Sequence, residues 1–211
     1  MSQLDAIAQT IQADFEARND ARNAAIGLSR DLIRTCATAI RASHRDEWDT
    51  AHDLLAEADK AAAELQENLA DYPELLAAGY TQDALKEMVE AHVTFALASD
   101  TPLPDPDALR VCYSVYLNGL CEGASEMRRR CLDDLRRGET AEAERLLKGM
   151  DEIYDTLVTF DFPDAITGGL RRRVDQFRGV LERTRGDLTN SLRQDLLVQA
   201  LHEFEERVNS E

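Results

Sequence analysis

The chain has 211 residues, 44% hydrophobic and only 6% aromatic, with 41 acidic residues against 24 basic ones and a formal charge of −17. That length supports one or at most two domains around a sizeable core, and the Ala- and Leu-rich apolar fraction marks a helix-rich globular chain and excludes a disordered one. No apolar run approaches the ~18 residues of a membrane span and no signal peptide is visible, so the expectation is a cytoplasmic protein with no membrane partner.

Taken in order, almost every segment reads helical. The first predicted helix runs from about Gln3 to Ser43, with Ile7, Ile11, Phe15, Ile26, Leu32, Ile33 and Ile40 among its apolar points. Such length suggests a backbone element of the fold or an oligomer contact. Asp46 to Leu69 follows and stops before Asp71-Tyr72-Pro73. A third helix, about Thr81 to Ala98, carries Leu85, Met88, Val89, His92, Val93 and Ala96 on one stripe. Residues 99–106 hold three of the five prolines, a clear break. The fourth helix is predicted to open with Asp105 as N-cap and Pro106 in its first turn, and to end near Arg137-Gly138. A fifth spans Thr140 to about Val158, Phe160-Asp161-Phe162-Pro163 makes a tight connection, and the last helix covers roughly Thr167 to Val208. Strand-like alternation and internal repeats are missing. Residues 1–211 therefore read as a single all-α domain, a bundle of six to seven helices.

Two pairs of glutamates stand out on this framework. Glu87 and Glu90 are three residues apart, and Glu122 and Glu126 are four apart. Both spacings place side chains on one helix face. Crowded carboxylates repel and are tolerated in a partly buried site mainly when a cation or a shared proton relieves them. Hard ions such as Mg²⁺ or Mn²⁺ suit oxygen ligands, and a bound water can attack a phosphodiester. A chain this acidic also produces such pairs by chance. Projection at about 100° per residue puts Val111, Val115, Asn118, Glu122 and Glu126 in one stripe of the fourth helix, off the plainly solvated face. The small residues of Cys121-Glu122-Gly123-Ala124-Ser125 let another helix or a ligand approach closely. Glu87 and Glu90 flank their helix's apolar stripe. The four carboxylates would converge if helices three and four pack as an antiparallel hairpin.

The remaining signals are weaker. The four cysteines (Cys36, Cys112, Cys121, Cys131) lack zinc spacing and read as small core or interface residues. No histidine completes the Glu-x-x-His pair of a di-iron bundle, and His92 reads as a packed or hydrogen-bonded core residue. No Walker A motif, G-x-S-x-G elbow or HExxH is present. Three lysines (Lys60, Lys86, Lys148) stand against 21 arginines, and this acidic, Arg-for-Lys balance suits a halophilic source. Salt screens repulsion from nucleic acid, so clustered arginines can still bind RNA. Arg18 and Arg22 share a face of the first helix, and Arg171-Arg172-Arg173 opens the last. Ion pairing is the default for such residues and phosphate contact the alternative.

The helical layout, Glu87-Met88-Val89-Glu90-Ala91, and Tyr116-Leu117-Asn118-Gly119-Leu120-Cys121-Glu122 through Glu126-Met127-Arg128 together resemble the translin superfamily. The closer likeness is to its translin-associated factor X branch, in an archaeal form. Asp20-Ala21-Arg22 and Arg171-Arg172-Arg173-Val174-Asp175 extend the match. The resemblance implies an all-α subunit of a hollow homo-oligomer, an octamer, that binds single-stranded RNA or DNA. For this branch it implies a metal-dependent endoribonuclease using Mg²⁺ or Mn²⁺, with Glu87, Glu90, Glu122 and Glu126 as catalytic and metal-holding residues. The branch commonly has Asp where Glu122 stands. Arg22 matches a family position implicated in nucleic-acid contact, and Arg18, Arg171 and Arg172 are further candidates for that role. Two other readings stay open: a non-catalytic nucleic-acid-binding shell, and an all-α nucleoside-triphosphate pyrophosphohydrolase, which also pairs Glu-x-x-Glu with a second acidic pair.

Overall fold

Helix-forming stretches punctuated by Pro and Gly give eight helices among the described residues, 2–209 of this computed structural model. They are α1 (Gln3–His44), α2 (Trp48–Asn68), α3 (Pro73–Leu76), α4 (Gly79–Ser99), α5 (Tyr113–Arg137), α6 (Thr140–Leu157), α7 (Asp164–Thr167) and α8 (Leu170–Asn209). Six are long, and α3 and α7 are single turns that the periodicity did not foretell. Ser2 opens α1 with a capping box: its hydroxyl accepts the Asp5 N–H at 3.2 Å while the Asp5 carboxylate accepts the Ser2 N–H at 2.7 Å.

α4 and α5 form the centre. α1 and α2 cover α4, while α6 and α8 cover α5. The core between them is filled by Leu32, Leu65, Met88, Val89, Met127, Met150, Phe177 and Leu181, each essentially out of water. Cys36, Cys121 and Cys131 are buried free thiols, whereas Cys112 is exposed just before α5. Two ends leave this body. Every residue from Ser2 to Asp20 is exposed on α1, as is every residue over 193–209 on α8.

Two helix starts differ from expectation. Asp105 does cap, accepting the Ala108 N–H at 2.7 Å, but it caps one turn only. Arg110 then sits at φ 53°, in the left-handed region, which ends the turn, and α5 begins at Tyr113. Asp-Pro favours a turn as readily as a helix. In the last segment, Gly168 and Gly169 both take positive φ (62° and 83°) and split α7 from α8.

The larger correction concerns direction. α4 and α5 do not form an antiparallel hairpin. Gly119 lies against Lys86 and Val89, Gly123 lies against Glu90 and Val93, and Cys112 meets Gln82 near the start of α4. Sequence position therefore rises along both helices together, so they run parallel. Residues 100–112 lead the chain back along α4, through the single turn that Asp105 caps.

Candidate functional site

The site begins with two glycines on one face of α5. A Cβ on Gly119 would stand 2.5 Å from Val89 Cβ and 2.8 Å from the Lys86 carbonyl oxygen. One on Gly123 would stand 2.7 Å from Val93 Cγ1 and 3.0 Å from the Glu90 carbonyl oxygen. No side chain fits there, so the two backbones pack nearly in contact. This approach brings Glu87 and Glu90 of α4 beside Glu122 of α5. One carboxylate oxygen from each lies within 4.8 Å of the other two, and all three residues are half-buried.

Cations hold part of this cluster. The Lys86 ammonium donates to Glu122 Oε2 and lies 3.2 Å from Glu87 Oε1. Arg173 Nε, from α8, donates to Glu122 Oε1 at 2.7 Å. Arg173 also donates to Asn118 Oδ1 at 3.0 Å and to the Gly168 carbonyl at 3.1 Å. Asn118 is fixed in turn, donating to the Thr167 and Ser114 carbonyls, each at 2.7 Å. A cleft of about 150 Å³ opens beside the cluster, lined by Lys86, Ser114, Asn118 and Arg173.

The carboxyls differ sharply in proton affinity. Burial, reinforced by the Glu87 and Glu122 charges, pushes Glu90 up to about 8. Burial also works against ionised Glu122, but the hydrogen bonds from Lys86 and Arg173 outweigh it and hold that carboxyl below the usual range. Lys86 shows the mirror image: burial disfavours its charge, yet Glu122 and Glu87 hold its pKa above the ordinary value. Two anions paired to two fixed cations, beside a third carboxyl that keeps its proton, leave the cluster close to neutral.

Glu126 stands apart from the mutually close oxygens of the other three. Its Oε2 lies 3.2 Å from Nε2 of His44, at the end of α1, and that hydrogen bond keeps the Glu126 carboxyl below its ordinary range. The His44 side chain is only 2% exposed, and its Nδ1 makes no hydrogen bond. Glu126 also borders an open groove of about 780 Å³ lined by Arg128, Arg129 and Arg136.

The arginines singled out by sequence lie elsewhere. Arg18 is on the exposed arm of α1, paired with Asp14 at 2.7 Å and with Glu74. Arg22, exposed nearby, donates to Asn23 Oδ1 at 3.4 Å. Arg171 and Arg172 are exposed at the start of α8. The structure instead brings Arg173, Lys86 and His44 to the carboxylates. Arg173 sat inside a recognised Arg triplet, and only the packing of α8 on α5 selects it from its neighbours. His92, expected to be satisfied, sits 2.8 Å from Asp59 Oδ1.

This is a helical protein of the translin type, with an acidic cluster between two central parallel helices. The crystal structure of AfC3PO is similar with a TM-score of 0.82 and 28% identity, covering 90% of this chain and 98% of that one. The structure of the AfC3PO–duplex RNA complex matches over the same shares, at 0.78 and 29%. The crystal structure of apo-NeC3PO, at 19% identity and a TM-score of 0.79 over the same shares, shares the fold. No family model matches the chain. An uncharacterized protein of Methanocaldococcus jannaschii, MJ0175, is 33% identical over 173 residues, 81% of this chain and 76% of that protein. The chain belongs to the translin superfamily. Among the described residues, no helix is long and apolar enough to cross a membrane.

Proposed function

We propose that this chain is a metal-dependent endoribonuclease that cuts single-stranded RNA, and also binds single-stranded DNA, inside a homo-oligomeric shell. The observation that carries the reading is the convergence of Glu87, Glu90 and Glu122 oxygens within 4.8 Å across two helices that glycine packing holds together. All donors are carboxylate oxygens, the set that hard ions such as Mg²⁺ and Mn²⁺ prefer. Among the described residues no hydrogen bond or ion pair reaches Glu90, so an ion would take the place of the proton that its carboxyl holds. These residues fit such an ion. Similarity to a protein solved with duplex RNA supports RNA as the ligand.

Glu87, Glu90 and Glu122 would hold the ion, which when bound lowers the pKa of a coordinated water and stabilises charge at a phosphate. Glu126 would complete the acidic set from the next turn of α5, oriented by His44. Arg173, held in the neighbouring cleft by Asn118, would bind a phosphate of the RNA backbone. Arg129 of the open groove, together with Arg18 and Arg22 on α1 and Arg171 and Arg172 at the start of α8, would carry the strand further, with little base preference because phosphates hold no sequence information. Octameric assembly through the exposed arms, a salt-rich cytoplasm as the working medium and adaptation of the acidic surface to it belong to the same reading.

Glu122→Gln tests it directly. With Mn²⁺, cleavage of labelled single-stranded RNA is expected to fall by about 100-fold or more, while binding of the same RNA by mobility shift stays near wild type. Pyrophosphate release from nucleoside triphosphates without RNA cleavage would assign the site to a pyrophosphohydrolase instead. Unchanged cleavage by the variant would remove the carboxylates from the chemistry.

A further inference from the structure

Basic residues in this chain are overwhelmingly arginine, 21 of 24, and two of the three lysines, Lys60 and Lys148, are exposed. Lys86 is the exception, 8% exposed and inside the acidic cluster. Its ammonium bridges two different carboxylates, Glu122 Oε2 on α5 and Glu87 Oε1 on its own helix. The other oxygen of Glu122 is occupied by Arg173. Glu90 has no such partner. The cluster therefore has one side already neutralised by fixed cations and, at Glu90, one side that no cation among the described residues contacts.

We propose that the Lys86 ammonium is a tethered stand-in for a second metal ion, filling the Glu87–Glu122 bridge so that the cluster takes up one divalent ion, on the Glu90 side. This rests on the reading of the cluster as a metal site. In two-metal phosphoryl-transfer sites the ions sit about 3.5–4 Å apart and share a bridging carboxylate. Here the bridging place between Glu87 and Glu122 holds a covalently attached monocation. Lysine suits that place because its charge is compact, whereas the planar guanidinium of arginine needs more room. A fixed cation in contact with both Glu87 and Glu122 also holds these side chains in place before any metal arrives, which preorganises two of the ligands.

Isothermal titration with MnCl₂, in the absence of RNA and after chelator dialysis, tests this on the full-length protein. Wild type is expected to take up one Mn²⁺ per chain. Lys86→Met is expected to take up two, and its metal-free melting temperature to fall and to recover on adding Mn²⁺. A variant that keeps one Mn²⁺ at wild-type affinity overturns the assignment of Lys86 while leaving the metal site standing. Two Mn²⁺ bound by wild type also overturns it. No uptake by wild type overturns both this inference and the metal reading beneath it. Should Lys86→Met lose its cooperative melt, Lys86→Gln, which retains length and polarity without the charge, is titrated and judged by the same stoichiometry.

Discussion

Burial between α4 and α5, with Glu87 and Glu122 alongside, raises the Glu90 carboxyl from 4.5 to about 8. Between those values the folded chain binds a proton that the unfolded chain has released, so the stability due to this group is full below about pH 4.5 and is lost as pH rises through about 8. In chelator, the melting temperature is expected to decline across that window, and Glu90→Gln is expected to flatten the decline. Mn²⁺ should reverse it in wild type, because a divalent ion replaces the proton. Calorimetry at several pH values decides the matter, and equal pH slopes for wild type and variant would contradict the assignment. The four glutamates were legible from sequence because helical spacing displays them. Lys86, Arg173 and His44 were not, since their partners lie 36, 51 and 82 residues away and only packing joins them.

At the scale of elements, the parallel contact of α4 and α5 decides whether the carboxylates meet. Gly123→Ala introduces a methyl where 2.7 Å separates it from Val93, so it is expected to cost about 1–3 kcal/mol and to weaken Mn²⁺ uptake by prising the helices apart. Gly27→Ala, on α1 with no atom within 4 Å of the added methyl, is the control and is expected to stabilise by about 0.5–1 kcal/mol. Chemical denaturation of both, with metal titration of the first, separates packing from helix propensity. A Gly123→Ala protein as stable as wild type would sink the argument. Sequence revealed the small residues but not the direction of packing. A stretch rich in proline marks a break, yet whether it reverses the chain or carries it back depends on the span it must cross. The same limit explains α5, whose start was masked by a capped turn carrying an N-cap signature.

At the scale of the molecule, composition and periodicity were enough for an all-α bundle, because apolar stripes at helical spacing recur along the whole chain. They could not show which stripes remain uncovered. Leu4, Ile7, Ile11 and Phe15 on α1, and Leu197, Leu201, Phe204 and Val208 on α8, are exposed by between 48% and 72%. Apolar faces of this extent mark association surfaces. Phe15→Glu combined with Phe204→Glu is expected to shift the protein to a smaller species in light scattering coupled to size-exclusion chromatography, with helical content unchanged. A wild-type protein that elutes as a monomer would remove the shell from the proposal.

α1 is a single rod of 42 residues, about 60 Å long, with bare apolar residues at one end and His44 against Glu126 at the other. Its two ends therefore cannot be set independently. Pivoted near His44, a tilt of only 5° would sweep the far tip by about 5 Å, more than an interface of interlocked side chains tolerates. The lever also works in reverse: clamping the tip fixes the angle at which the histidine meets its glutamate.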